Sequence, residues 1–396
     1  MDVEKRKAYR AIVLLGLVSL LGDVVYEGAR GLIPEYLKYL GASAVVVGAV
    51  LGLGELISYV SRLGGGVLAD KTRSYWPLIF LGYGLIAALP LLPLGGLLGG
   101  WVLAAVLILA ERLGKGLRTP ARDTIISFVS KHIGRGKAFG LHELLDQIGA
   151  VSGPLALAAI MALTGSYSLA FAALAVPYLA LMATLYIVYL NIRGYVEEQS
   201  PSRKKGGGGL EGPVALYLAA VAANTLALLP APLILYQAAT VYGPSLAWLV
   251  PVLYAGIQLV DAPTALVSGL VYDRSGLKVL YVPFAITALV APLVLAASPL
   301  SVAVAAAVYG LVLGMREAVY RAAVADMTPP DKRGTVYGVF NTVVGTGFLA
   351  AGVFYGYMID LHVGAVEGLA VAAALSALSI ALLAAAERRV KGSGSQ

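Results

Sequence analysis

Stretches of about 20 mostly apolar residues recur along the whole 396-residue chain, and the connections between them are alternately basic and nearly uncharged. A run of that length is what a helix needs to cross the hydrocarbon core of a bilayer. Reading between polar breaks places twelve of them, at about 10–38, 43–69, 76–95, 100–127, 137–163, 167–190, 213–240, 246–272, 278–297, 301–327, 335–360 and 365–387. The chain is 59% apolar and 13% charged, against about 45–50% and about 25% in soluble domains. The expectation is an all-α membrane protein of twelve transmembrane helices.

The basic residues set the orientation. Alternate connections carry twenty of the 29 Lys and Arg, among them Lys5–Lys7, Lys71, Arg73, Lys131, Arg135, Arg203–Lys205, Arg274, Lys278, Lys332, Arg333, Arg388 and Arg389; the opposite side has Lys38 alone. Positive loops stay cytoplasmic, so both termini and the 191–212 connection are expected inside, in the cytoplasmic membrane. The net charge of +7 is thereby a topology signal, and no nucleic acid is expected as a partner. The first apolar stretch is broken by Asp23, Glu27 and Arg30, which argues against a cleaved signal peptide.

Several chemistries are excluded. With no cysteine there is no disulfide, thiolate metal site or cysteine nucleophile. Three histidines, at 132, 142 and 362, are too scattered for a metal cluster. No glycine-rich segment ends in Gly-Lys-Ser/Thr, so ATP hydrolysis is not expected. No cofactor, metal or enzymatic activity is expected.

The chain divides and repeats. Residues 191–212 form the longest polar stretch, with Gly206–Gly209 making it flexible. They separate a six-helix bundle, 1–190, from a second, 213–390; the Gly/Ser-rich end, 391–396, reads as an added linker. Arg118, Arg135, Gly136 and Gly140 in the first half have the same spacing as Arg316, Arg333, Gly334 and Gly338 in the second. Glycine-bearing turns are expected at 64–73 and 267–276, ending the second helix of each half. Parallel six-helix repeats with a substrate site near the midplane build one large class of transporters.

At these residues the chain resembles the major facilitator superfamily. GVLADKTRS (66–74) and GLVYDRSGLK (269–278) match the two copies of that family's loop motif, Arg112 with Gly116 is similar to its helix 4 pattern, and GAVSGP (149–154) to its helix 5 motif. ERLGKGLRTPARD (111–123) is similar to a prokaryotic branch with unassigned substrates. The resemblance implies two pseudo-symmetric bundles and a cytoplasmic latch at Gly66, Asp70, Arg73, Gly269, Asp273 and Arg274. Gly66 and Gly269 are expected to let helices approach closely. Gly149, Gly153 and Pro154 are expected to allow tight packing and a kink; in the family their pattern is associated with antiporters.

Ionisable groups inside a span are costly and usually face a cavity or a partner. Asp23, Glu27 and Arg30 share one face of helix 1, flanked by Ser19 and Tyr26. Asp23 lies roughly 20 Å into the helix. Glu55 sits at a similar depth in helix 2, two turns from Arg62. Either these groups bind substrate and proton, or Glu27–Arg30 and Glu55–Arg62 are locked pairs. Helix 4 carries Glu111, Lys115, Arg118 and Arg122 as a stripe. Helix 5 runs back with His142, Glu143, Asp146 and Gln147, and an ion-pair network between helices 4 and 5 is expected. Arg112, Arg118, Arg122, Glu143, Asp146 and Arg316 are assigned to gating. The second half is leaner, with Asn224, Gln258 and Asp261 near mid-span.

The function expected is secondary transport of a small solute by a monomer in the bilayer, coupled to protons and more in keeping with export. Proton coupling is assigned to Asp23, Glu27, Glu55 and Glu111, and substrate contacts to Tyr26, Glu27, Arg30, Asn224, Gln258 and Asp261. A metal or inorganic-ion transporter of the same fold stays open and requires Asp23, Glu27 and Glu55 to converge, as does a proton-coupled importer of a small organic solute.

Overall fold

The structure is a computed structural model, and it describes residues 3–72, 74–129, 135–198, 212–329 and 332–393. These residues are all-helical, without strands. In lipid, a helix satisfies every backbone donor within its own segment, so long apolar runs have little alternative. The first half comprises α1 (Val3–Tyr39), α2 (Ala44–Thr72), α3 (Tyr75–Gly84), α4 (Gly100–Val129), α5 (Arg135–Thr164), α6 (Tyr167–Ala173) and α7 (Ala175–Glu198). The second comprises α8 (Gly212–Ala227), α9 (Ala231–Tyr242), α10 (Leu249–Ser275), α11 (Tyr281–Ile286), α12 (Val290–Leu295), α13 (Pro299–Met315), α14 (Arg321–Asp326), α15 (Arg333–Asp360) and α16 (Ala365–Ser393).

Ten helical stretches among the described residues are long and apolar enough to cross a membrane. One of them, Leu249–Leu295, has 47 residues and takes in α10, α11 and α12; a shorter apolar helix spans Tyr75–Ala88. The third helix of each half is irregular. After α3 the chain tightens into a 3-10 turn at Leu85–Ala88, and α11 and α12 are set off by 3-10 turns at Gly276–Leu280 and Thr287–Leu289. Pro283 and Pro292 lie in these segments, and each removes a backbone donor and crowds the preceding turn. Sharp starts have visible caps. Ser166 accepts from the Leu169 amide, and Ser298 forms a reciprocal capping box with Ser301.

The glycine-bearing segments expected as turns are helical instead. The second helix continues through Gly64–Gly66 to Thr72, and its counterpart runs through 267 to Ser275. Glycine weakens a helix by only about 1 kcal/mol, and the membrane's demand for internal hydrogen bonds outweighs that.

Two compact units are distinguished. The first is Met1–Gly41, Ile57–Lys204 and Ala247–Ala255; the second is Ala42–Leu56, Lys205–Leu246 and Gly256–Gln396. In the first unit α1 packs most extensively on α5. The contact is nearly backbone on backbone. A Cβ on Gly153 would stand 2.5 Å from the Val24 carbonyl oxygen, and one on Gly149 2.5 Å from that of Leu20. Gly149 and Gly153 of the 149–154 motif are thus points of close approach between α5 and α1. In the second unit the start of α2 lies against α15, with Gly48 facing Gly352 and Gly52 facing Leu349.

Candidate functional site

The polar residues of the first unit converge from α1, α4 and α5 because glycine brings those helices close. Gly149 of α5 abuts the Asp23 Cβ. Gly114 of α4 meets Gly82 of α3, and Gly116 meets Ser58 and Ser61 of α2. Small residues at crossings are the usual means of close approach in a membrane. On this frame Asp23, Glu27, Glu111, Arg112, Arg118 and His142 are all buried.

Glu27 is the hub. Arg30 Nη1 donates to its Oε1 at 3.0 Å, Lys115 Nζ lies 3.7 Å from the same oxygen, and the Tyr254 hydroxyl donates to Oε2. Arg112 adds a further positive field. One carboxylate thus faces several cations, and of the two roles open for Glu27 the arrangement resembles the locked pair with Arg30.

Asp23, one turn earlier, has a different setting. Asp146 and Glu27 are its charged neighbours of like sign, with Lys115 as an opposing charge. No cation stands within ion-pair distance of it among the described residues. Further contacts link helices 4, 1 and 5. Arg122 Nη1 donates to Ser19 Oγ at 2.9 Å, Ser19 Oγ lies 3.3 Å from His142 Nε2, and His142 Nδ1 lies 3.4 Å from Asp146 Oδ1. Between helices 4 and 5 the contacts thus run from Arg122 through Ser19 of helix 1 to His142, and His142 Nδ1 and Asp146 Oδ1 make no hydrogen bond with each other. Arg122 also holds Asp123, its neighbour in sequence, at 3.0 Å. Glu143 is exposed.

Glu111 is 1% exposed. Arg112 Nε lies 2.8 Å from its Oε2 and Arg118 Nη2 3.7 Å from Oε1. Neither carboxylate oxygen receives a well-aligned hydrogen bond, so the attraction is that of charges rather than of directed bonds. Arg118 also donates to the Gly82 carbonyl at 3.2 Å and lies over the rings of Tyr83 and Tyr26, at 4.9 and 5.4 Å from their centroids. Lys115 sits 4.2 Å above the Tyr26 ring. Tyr26 is thus a platform for two cations.

In the second unit Asn224, Gln258 and Asp261 are buried. Tyr320 donates to Asn224 Oδ1 at 2.7 Å, and Tyr217 donates to the Tyr320 carbonyl at 2.9 Å. Arg316 opens a π-helical turn, Arg316–Tyr320, between α13 and α14; such bulges are frequent at functional sites. Its guanidinium lies 4.2 Å over the Phe348 ring. Glu55 is half-buried on the part of α2 that belongs to the second unit. No group of three or more His, Asp or Glu among the described residues is placed to hold a metal ion.

Of the latch residues, Arg73 and the side chain of Asp70 lie outside the described residues. Asp273 and Arg274 are exposed at the end of α10. Gly66 has only the Pro120 Cβ nearby, at 3.8 Å, and a Cβ on Gly269 would meet nothing within 4 Å. The close approach expected of Gly66 belongs to Gly65, whose Cβ would stand 3.1 Å from the Leu117 backbone.

Three participants had no expected role. Tyr254 reaches Glu27 across 227 positions of sequence, and nothing local marks it. Glu35 of α1 is buried and accepts from the Tyr167 hydroxyl at 3.0 Å. Asp360, the last residue of α15, accepts from the Ala44 and Val45 amides at 2.8 and 2.9 Å and so caps the start of α2. Here there was a signal: an acid at a helix C-terminus opposes that helix's own dipole, which points to a partner elsewhere.

A family model described as Major Facilitator Superfamily matches residues 14–348, and again 214–395. An uncharacterized protein of Mycobacterium tuberculosis is 36% identical over 379 residues, covering 94% of this chain and 92% of its own. An uncharacterized MFS-type transporter of Methanocaldococcus jannaschii is 29% identical over 368 residues, 89% of each. Among solved structures, a mutant of the peptide transporter POT superposes with a TM-score of 0.74 at 14% identity, covering 98% of this chain and 99% of that one. The nucleoside transporter NupG gives 0.69 at 15%, covering 96% and 99%. These two likenesses concern the fold.

Proposed function

The chain belongs to the major facilitator superfamily and is a multi-pass membrane transporter rather than an enzyme; on that premise we propose that it is a proton-coupled secondary transporter of a small solute. It crosses the cytoplasmic membrane twelve times, in bundles 1–190 and 213–390 joined by a cytoplasmic linker, with both termini inside. The 20-to-1 sorting of basic residues supports that orientation. Alternating access moves the solute, in the direction of export by antiport; the resemblance of the 149–154 motif to the one associated with antiporters in this superfamily favours that direction.

The observation that carries the coupling is the setting of Asp23. It is a buried carboxyl with Asp146 as a like-charged neighbour and, among the described residues, no cation at ion-pair distance. Two neighbouring carboxyls in a low-dielectric site hold one shared proton at less cost than two charges. The Asp23–Asp146 pair takes up and releases that proton as a coupled unit, while Glu27 stays ionised against Arg30, Lys115 and Tyr254. His142, between Ser19 and Asp146, connects the pair to Arg122. Glu111 serves as the fixed counter-charge of Arg112 and Arg118.

The test is transport in proteoliposomes under an imposed pH gradient. Asp23→Asn and Asp146→Asn are each expected to abolish proton-driven accumulation while preserving solute exchange. Glu27→Gln is expected to lower both together, through loss of the hub. Proton-driven accumulation that survives unchanged in both aspartate variants would place the coupling elsewhere.

A further inference from the structure

The two halves of the chain repeat, and the pairs Gly116/Gly314, Arg118/Arg316 and Gly149/Gly347 share one offset in sequence. They also share a packing role. Gly116 lies against Ser58 and Ser61 of the second helix of its half, and Gly314 against Asp261 and Thr264 of the corresponding helix. Gly149 abuts Asp23 of the first helix, and Gly347 abuts Thr225 beside Asn224. Arg118 and Arg316 therefore occupy equivalent places in two similarly built frames.

Their surroundings are not equivalent. Arg118 has the Glu111 carboxylate, the Gly82 carbonyl and two aromatic faces. At the offset position of Glu111 the second half has Tyr309, and at that of Asp23 it has neutral side chains. Arg316 is 7% exposed, and neither terminal nitrogen has a hydrogen-bond partner among the described residues. Phe348 covers one face of the guanidinium. Asp261, the acid on the neighbouring α10, does not pair with it, and Glu317 is exposed. The π-helical turn that opens at Arg316 ends at Tyr320, whose phenol donates to Asn224 Oδ1 and leaves Asn224 Nδ2 as a second buried donor without a partner.

A buried cation without a counter-ion is expensive, and so is a buried amide donor without an acceptor. The remedy common to both is a ligand that brings negative charge and acceptor oxygens. We propose that Arg316 and Asn224 form an anion site that takes a carboxylate or phosphate group of a small solute. The planar guanidinium matches the two oxygens of either group as a bidentate partner, and Asn224 Nδ2 supplies the third donor. The π-helical turn that begins at Arg316 gives its helix local freedom to admit the ligand. Because Arg316 lies well inside its helix, about 15 Å from the end at Asp326, a free solute fits the site better than a lipid headgroup held at the surface. The proposal rests on the transporter reading for its biological use, but not on proton coupling.

The test is binding to the purified full-length chain in nanodiscs of zwitterionic lipid, by calorimetry and thermal shift, with succinate, benzoate and inorganic phosphate as probes and glucose and choline as controls. At least one anion is expected to bind and raise the melting temperature, and the controls are expected to do neither. Arg316→Gln should weaken that binding by at least ~10-fold, Arg316→Lys by a smaller factor, and Asn224→Ala by ~3-fold or more. Arg388→Gln, on the exposed end of α16, should leave it unchanged. Arg316→Gln should also melt higher than wild type without ligand, since it removes the uncompensated charge. Binding that appears only with anionic lipid would assign the site to a headgroup and overturn the solute. No anion-dependent shift, or a shift that persists in Arg316→Gln, would overturn the site. Anion binding through Arg316 in a protein that carries no solute in proteoliposomes would leave the site standing and sink the transport reading.

Discussion

Arg118 and Arg316 stand at equivalent places in two repeats, and only the first has its charge answered by the protein. The first unit carries a dense set of paired charges on α1, α4 and α5; the second keeps the repeat-related arginine but has a phenol and neutral side chains where the acids would be. A frame that repeats fixes where an arginine stands. Neighbouring side chains decide whether it is structural or waits for a ligand, because the same buried charge is tolerable when paired and costly when not.

The largest effect is expected at Glu111. Glu111→Gln leaves Arg112 and Arg118 without their shared carboxylate and should cost roughly 3–5 kcal/mol, read as a steep loss of folded, monodisperse protein and a lower melting temperature. A Glu111→Gln protein that melts like wild type would mean that Arg118 needs its counter-ion no more than Arg316 does. Next comes the glycine frame. Gly149→Val and Gly153→Val put side chains into carbonyl oxygens of α1 and should destabilise by about 1–3 kcal/mol or more. Gly269→Ala, in open space, should change stability by less than ~0.5 kcal/mol. Equal effects at the three positions would show that the motif glycines do not act through close packing.

Smaller effects sharpen the picture. Asp360→Ala removes the cap on α2 and should cost about 1 kcal/mol, with faster amide exchange at Ala44 and Val45; Asp360→Asn should recover part of it. Tyr254→Phe deletes one hydrogen bond to Glu27, and the arginine and lysine contacts remain. A loss near 1 kcal/mol is expected, together with weaker solute exchange. A loss as large as that of Glu27→Gln would make the phenol, not the cations, the main support of the carboxylate.

Much of this was legible in the chain itself. Apolar length, the alternation of basic loops and the paired motifs lead to a helical membrane transporter of this superfamily, because lipid offers a backbone few alternatives and charge sorts by side. The cluster of Asp23, Glu27, Glu111 and Arg118 could be named from helix-face spacing, since charges on one face of a buried helix must find company. The partition of roles within it could not. Spacing along α1 gives Asp23 and Glu27 equal standing, and nothing in residues 140–154 says that Asp146, rather than Glu143, turns inward. Tyr254 and Asp360 act across more than two hundred positions, beyond the range of any local pattern.

Local hydropathy and periodicity are enough to specify the membrane-spanning helices, the repeat and the charges that fall inside spans. Which of those charges are answered depends on the packing between helices. Glu27 gathers Arg30, Lys115 and Tyr254, Asp23 is left beside Asp146, and Arg118 is paired where Arg316 is not. The physical reason is distance: electrostatic compensation acts over a few ångströms between helices, and which side chains come that close is set by glycine contacts between segments far apart in the chain.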